Sequence, residues 1–273
     1  MEKKIKKKVF GRLVIEGAGV KLRRYFSNDL VKDTDPFLLF DDFSSDTPDD
    51  YLAGFPWHPH RGIETVTYVL EGRVEHKDSF GNSGIIGKGD VQWMTAGSGI
   101  IHEEMPLKSK RMKAFQLWVN LPREKKMCPP MYRSLLAKEL PTADEKKTSV
   151  KVIAGKYKGL VGPVKNNIEG INYFDITLNN SSEFEYETQD KTVFCYIYEG
   201  SCDHANKNEL IFFGKEGNIV KLIAGKQGCK FLLITGNPLN EPIAWAGPIV
   251  MNTQEELKIA FDELKEGTFI KHQ

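Results

Sequence analysis

The sequence predicts an all-β fold of two barrels in tandem, closed by a short C-terminal helix. Three observations carry that reading. Short segments rich in Val, Ile, Thr, Tyr and Phe recur from Val9 to Leu121 and again from Val150 to Thr235, punctuated by Gly, Asn and Asp. Turn signals at Glu71-Gly72, at Phe80-Gly81-Asn82-Ser83-Gly84 and at Gly87-Lys88-Gly89-Asp90 fall at regular intervals. That rhythm is the one expected of a sandwich or of a barrel such as the jelly roll. The second series also echoes the first: Tyr68-Val69-Leu70-Glu71-Gly72 is answered by Tyr196-Ile197-Tyr198-Glu199-Gly200, as a duplicated barrel would leave it.

The elements follow in order. The basic start, Glu2-Lys3-Lys4-Ile5-Lys6-Lys7-Lys8, reads as a solvated tail. Charges within Val9–Glu16 break the apolar run before it reaches the length of a signal peptide. Glu64–Leu70 alternates as a strand with one buried face does. Arg123–Glu145, with Pro129, Pro130, Pro141 and mixed charge, predicts a linker with at most a short helix. Ile171–Leu178 and Val193–Gly200 read as strands. Thr253-Gln254-Glu255-Glu256 is a capping box, in which the hydroxyl and the carboxylate satisfy free amides reciprocally. Leu257, Ala260, Phe261 and Leu264 then share one helical face and Gly267 ends the run, so a helix is expected over about 253–266.

Composition narrows the classes. The 273 residues suffice for two domains of ordinary size, and 40% hydrophobic with 11% aromatic content is that of a folded protein. A formal charge of +1 gives no global field to recruit nucleic acid or an anionic membrane, so neither partner is expected. The longest apolar runs, such as Phe231–Ile234, fall far short of the ~20 residues of a membrane-spanning helix. Cys128, Cys195, Cys202 and Cys229 form no C-x-x-C pair, which suits reduced thiols in an intracellular protein.

The histidines carry the chemistry. The chain has six, and three of them sit in His58-Pro59-His60 and His102-Glu103-Glu104. Residues two apart in an extended segment share a face, so His58 projects with His60 and His102 with Glu104, while Glu103 points the other way. Two such strands facing each other enclose one cation with nitrogen and oxygen donors, a set that suits iron, copper, nickel, manganese or zinc. Between His102 and His272 the only histidine is His204, in a polar turn, so the second barrel is not expected to repeat the site. Glu64 has the parity of His58 and His60 and is the alternative carboxylate.

The wording around these residues resembles the pirin family of the cupin superfamily. The resemblance rests on DPFLLFDDF (Asp35–Phe43), HPHRGIETVTYVLEG (His58–Gly72), GDVQWMTAGSGIIHEEMP (Gly89–Pro106), FQLWVNLP (Phe115–Pro122) and GPIVMNTQEE (Gly247–Glu256). It is dense from about Val9 to Pro130 and sparse afterwards. It implies a bicupin: a metal-binding cupin domain over residues 1–130, a linker over 131–145, and a cupin-like domain without ligands over 146–273 that carries the helix. A chain truncated near Glu145 is then expected to keep its metal.

The resemblance also implies the ligand set His58, His60, His102 and Glu104. Glu64 stands one place out of the commoner cupin spacing, which leaves it a structural or tuning role. Fe(II) is the metal implied, with Ni, Cu, Mn, Co or Zn as alternatives. The activity implied is that of a quercetin 2,3-dioxygenase: a flavonol and dioxygen react with ring cleavage and loss of carbon monoxide, and Glu104 takes the proton of the 3-hydroxyl. The alternative implied by the family is a non-enzymatic, iron-dependent redox sensor that acts as a transcription cofactor by binding a transcription factor. A monomer is expected, cytoplasmic, and nuclear in a eukaryote. Phe55, Trp57 and Gln116 are read at the mouth of the site, and Trp93, Met94 and Trp118 as core. Trp57 stands where many pirins carry a smaller polar residue, a departure that bears on the entrance.

Overall fold

The computed structural model describes residues 1–164 and 170–272, so residues 165–169 and 273, within the span expected for the second domain, lie outside the described residues. Strands dominate it. The α-helices among the described residues are the single turn Val31–Thr34 and the C-terminal Gln254–Glu266. No helix among them is long and apolar enough to cross a membrane.

The chain folds as two units. One comprises 12–32, 37–137 and 239–273. Its larger sheet runs, in spatial order, Met131–Leu135, Val91–Thr95, Ile63–Glu71, Lys113–Asn120, Phe37–Asp42, Val20–Phe26 and Arg12–Glu16. Its smaller sheet runs Phe55–His60, Ile100–Leu107, Arg73–Asp78 and Ser83–Ile86. Val20, Leu22, Val69 and Ala114 from the first sheet bury against Val74 and Ile86 from the second, which makes the barrel interior. Such burial contributes about 25 cal/mol per Å² of apolar surface removed from water.

The other unit comprises 1–11, 33–36 and 138–238. Its sheet centres on Thr192–Cys202 and Ile219–Gly236, with Asn172–Leu178 and Thr148–Ala154 beyond, around a core that includes Val152, Phe174, Ile197, Phe231 and Leu233.

The termini depart from the sequence reading. The lysine-rich start is a strand, Ile5–Phe10, antiparallel to Glu209–Phe213 of the second barrel. Its lysines stay wet at their tips, Lys6 beside Asp33 and Lys8 beside Glu209. Charge runs resemble tails because side-chain charge does not reveal that the backbone is completing a sheet edge. Residues 131–145 are likewise built in. Met131–Leu135 pairs with Val91–Thr95 at the edge of the first sheet, and Thr142–Glu145 with Thr148–Ala154 in the second barrel. Pro129 and Pro130 precede an edge strand, where their missing N–H groups interrupt no central ladder.

The C-terminal segment returns to the first barrel. Thr253 caps the helix in the expected box with Glu256, and Gly267 ends it with a left-handed φ of 72°. Leu257 and Ala260 bury against Ile249, Met251 and Phe269. Val250 N–H donates to the Arg61 carbonyl, and Gly62 (φ 76°) lies so close that a Cβ there would stand 2.0 Å from the Val250 carbonyl oxygen.

Buried Lys126 ties this junction, its Nζ donating to Gly62 O at 3.0 Å, Asn120 Oδ1 at 2.7 Å and Val250 O at 2.9 Å. Burial pulls its ammonium down to about 7. Replacing Lys126 with Met takes the ammonium donor from all three acceptors, of which Gly62 O keeps only a long bond from Leu121 N–H at 3.3 Å. We expect a loss of about 2–4 kcal/mol, read as a lower urea midpoint, since an unsatisfied buried group costs about 1–3 kcal/mol. An unchanged midpoint would refute this role.

Candidate metal centre

The paired strands Phe55–His60 and Ile100–Leu107 build the centre. Their antiparallel register sets His58 opposite His102 and His60 opposite Ile100. Ile100–Leu107 alternates strictly, with His102 and Glu104 inward and Glu103 outward beside Lys77. The parity argument therefore holds.

Among the described residues, His58, His60 and His102 form one group whose ligand atoms all lie within 4.8 Å of one another. Their ring centroids are 4.4–5.0 Å apart. His58 Nδ1 lies 2.8 Å from the Pro56 carbonyl and His60 Nδ1 3.2 Å from the Pro248 carbonyl. A carbonyl only accepts, so each ring donates from Nδ1, which turns its Nε2 towards the group. His102 is buried with no hydrogen-bond partner at either ring nitrogen. Burial, then the neighbouring imidazoles, holds His60 and His102 well below the usual histidine range. Three converging imidazoles fit a transition-metal ion.

The two carboxylates have separate fates. Glu104 is buried, its Oε1 accepting from Thr67 Oγ1 at 2.8 Å and its Oε2 from Gln116 Nε2 at 3.0 Å. It stands beside the imidazole group rather than within it, and it shares a cavity with His58 and His60. Glu64 is fully buried, held by Thr95 Oγ1 at 2.7 Å and Trp93 Nε1 at 3.1 Å, and burial raises its pKa. Its place is inside the strand pairing of Ile63–Glu71 with Val91–Thr95.

A cavity of about 600 Å³ opens beside the centre. Phe55, Trp57 and Gln116 line it as expected, with Trp57 52% exposed. Trp118, read from sequence as core, also lines it, edge-on to His60 at 5.0 Å and tilted against Trp245 at 6.1 Å. It packs on the core cluster of Leu38, Ile63 and Met94 as expected, and its place on the cavity wall follows from the sheet: Trp118 is two residues from Gln116 and shares its inward face. Trp93 and Met94 are core.

Sequence reasoning passed over His76, which is buried and directly opposite Glu104 across the strand pair. His76 Nε2 meets the Tyr132 hydroxyl, which also accepts from Gln92 Nε2 at 2.6 Å. Its signal was the alternation of Val74, His76 and Asp78, all inward in Arg73–Asp78. His204 sits at the surface beside Asp203.

The carbonyl that orients His60 belongs to Pro248, and Trp245, Gly247 and Pro248 wall the cavity. A chain truncated near Glu145 lacks all of them, which argues against its keeping the intact site.

Comparison with known proteins agrees. The Pirin family model matches residues 19–119 and the Pirin C-terminal cupin domain residues 173–270. A pirin-like protein of Caulobacter vibrioides is 42% identical over 96% of this chain and 97% of its own length. Pirin of Mus musculus is 39% identical over 97% of this chain and 93% of its own. The structure of a quercetin 2,3-dioxygenase from Acinetobacter baumannii superposes with a TM-score of 0.90 at 35% identity, covering 98% of this chain and 99% of that one.

The two carboxylates can be told apart by experiment. Glu104→Ala should reduce metal affinity by more than the ~10–100-fold typical of losing a supporting partner, whereas Glu64→Ala should lower thermal stability and keep its metal. Elemental analysis and metal titration decide, and a metal-free Glu64 variant would reverse the assignment. The motifs, the fold and these relatives agree: the chain belongs to the pirin family of the cupin superfamily.

Proposed function

We propose that this chain is a metal-dependent dioxygenase of the quercetinase type, taking a flavonol and dioxygen, with Fe(II) held by His58, His60, His102 and Glu104. The observation that carries the reading is a buried carboxylate, Glu104, opening with His58 and His60 onto one cavity walled by aromatic rings. The A. baumannii structure of that activity, at 35% identity, supports it. When bound, the metal supplies Lewis-acid chemistry at an adjacent hydroxyl and carbonyl, such as the 3-hydroxyl and 4-carbonyl of a flavonol.

The protein's own part follows from the geometry. Trp57, Trp118 and Trp245 offer faces to a flat polycyclic substrate and keep water from it. Glu104 accepts the 3-hydroxyl proton. Thr67 and Gln116 hold both of its oxygens, so the acceptor is oriented before substrate arrives. Gln116 is held in turn by Trp118, whose Nε1 donates to Gln116 Oε1 at 3.1 Å.

For the transcription-cofactor alternative, the sequence feature that leans towards binding a partner is the lysine-rich start. That segment is a sheet strand whose Lys6 and Lys8 already face acidic partners, so no observation now favours it.

Iron-loaded protein should bleach quercetin aerobically with uptake of oxygen and release of carbon monoxide. The His58→Ala/His60→Ala double variant should be inert, and Glu104→Gln should lose about 10²–10⁴-fold in kcat. If metal-replete protein leaves quercetin untouched across several metals, and iron oxidation state instead alters binding to a transcription factor, the cofactor reading wins.

A further inference from the structure

The cavity has a charged wall that the chemistry at Glu104 does not use. Arg24 forks onto Asp41, Nε to Oδ1 at 2.9 Å and NH2 to Oδ2 at 2.7 Å, and reaches Glu16 Oε1 with NH1 at 2.7 Å. All three line the cavity that His58, His60 and Glu104 also line. Asp41 is buried, whereas the Glu16 side chain is 41% exposed.

The strand register places this wall. Thr67 is opposite Gln116, Gln116 is opposite Asp41, and Asp41 is opposite Arg24. Directly opposed residues share a sheet face, so these four form one row along the inner wall. The row starts at the two residues that hold Glu104. Neighbouring strands lie about 4.8 Å apart, so Arg24 stands two strand spacings, roughly 10 Å, beyond Gln116. A flavonol whose central-ring 3-hydroxyl meets Glu104 extends one of its outer rings along this row.

The chemistry of the wall is specific. Each Asp41 oxygen accepts once from Arg24 and keeps a further acceptor position. Glu16 adds a second carboxylate, so two negative charges face one positive. A phenolic hydroxyl is a neutral donor and suits such a wall; a sulfate or carboxylate is repelled by it. We propose, building on the dioxygenase reading, that Asp41, Arg24 and Glu16 form a distal subsite that reads hydroxyls on an outer ring flanking the reacting one. The preferred substrates are then polyhydroxylated flat aromatics, and anionic conjugates of them are rejected. An ion pair that merely braced the sheet would not distinguish one ligand from another.

The cavity tryptophans report occupancy by fluorescence, so iron-loaded protein can be titrated anaerobically, without turnover. The ligands are quercetin and 3-hydroxyflavone, which keeps the reacting hydroxyl and carbonyl and has no other hydroxyl. We expect quercetin to bind at least about tenfold more tightly, as a hydrogen bond to a charged group confers. Asp41→Asn should bring that ratio towards one by weakening quercetin alone. Glu16→Gln, at an exposed position that tolerates change, should lower it in part and serves if Asp41→Asn fails to fold. Equal wild-type affinities, or an unchanged ratio in both variants, would overturn the subsite. Failure of the dioxygenase reading is separate: the binding ratio would persist while aerobic protein released no carbon monoxide.

Discussion

Everything at the centre depends on one strand pairing, that of Phe55–His60 with Ile100–Leu107 in the register that sets His58 opposite His102. Side chains on a strand alternate between faces, so a slip of one residue would turn both histidines of one strand, or His102 and Glu104 of the other, out of the barrel. The register is therefore both a folding constraint and a chemical one. The apolar neighbours enforce it. Ile100 sits with Ile63, Met94 and Val250 in a buried cluster, which a slipped strand would have to abandon. The hydrophobic effect that closes the barrel thus also aligns the imidazoles, with no separate device.

The C-terminal segment extends that constraint. Arg61, next to His60, is buried with its Nε donating to Ser98 O at 2.7 Å and its NH2 to Phe269 O at 2.9 Å, while Glu263 faces the same NH2 at 2.7 Å. Its guanidinium also lies over the Phe269 ring, 4.2 Å from the centroid. A buried cation is tolerated only when paired and hydrogen-bonded, and here the partners come from the Ser98 loop and from the C-terminal segment. The main chain at His60 is consequently pinned between the Ser98 loop and the end of the chain. Buried Lys126, bonded to both Gly62 and Val250, pins the following residues in the same way. Residues without any part in the chemistry thereby fix the angle at which His60 meets its neighbours.

What was legible in the sequence was local. Parity placed His58, His60, His102, Glu104 and Glu103 correctly, because a period of two is a property of any extended strand. Four residues gave the helix start, since a capping box is complete within one turn. The strand Glu64–Leu70 emerged as Ile63–Glu71. What was missed was non-local. The acceptor for His60 is 188 residues away at Pro248, and nothing near either residue announces the contact. The lysines at the start gave a charge signal that was real but said nothing of the strand beneath them. Trp118 looked like core because a large aromatic on an inner face is equally suited to a core and to a cavity wall. His76 sat in a strand too polar to attract notice, yet its inward face was already written in its alternation.

The interior at the centre is polar where a barrel is usually apolar, and its arrangement explains how that is tolerated. Glu104 has two donors, Glu64 has two, and Asp41 has a bidentate guanidinium, so each buried carboxylate is satisfied. His102 stands apart from these carboxylates, with both ring nitrogens lacking a partner. An unsatisfied buried group costs about 1–3 kcal/mol, and such a cost is retained in folded proteins chiefly where function uses it. The position of His102 says what the use is, since it lies between two imidazoles whose Nδ1 atoms are already spoken for by carbonyls. The same burial that orphans His102 keeps it and His60 neutral, so a cation binding there displaces no proton from either ring. The satisfied carboxylates hold the wall still, and the ring with neither nitrogen satisfied is where the site is left open to a ligand.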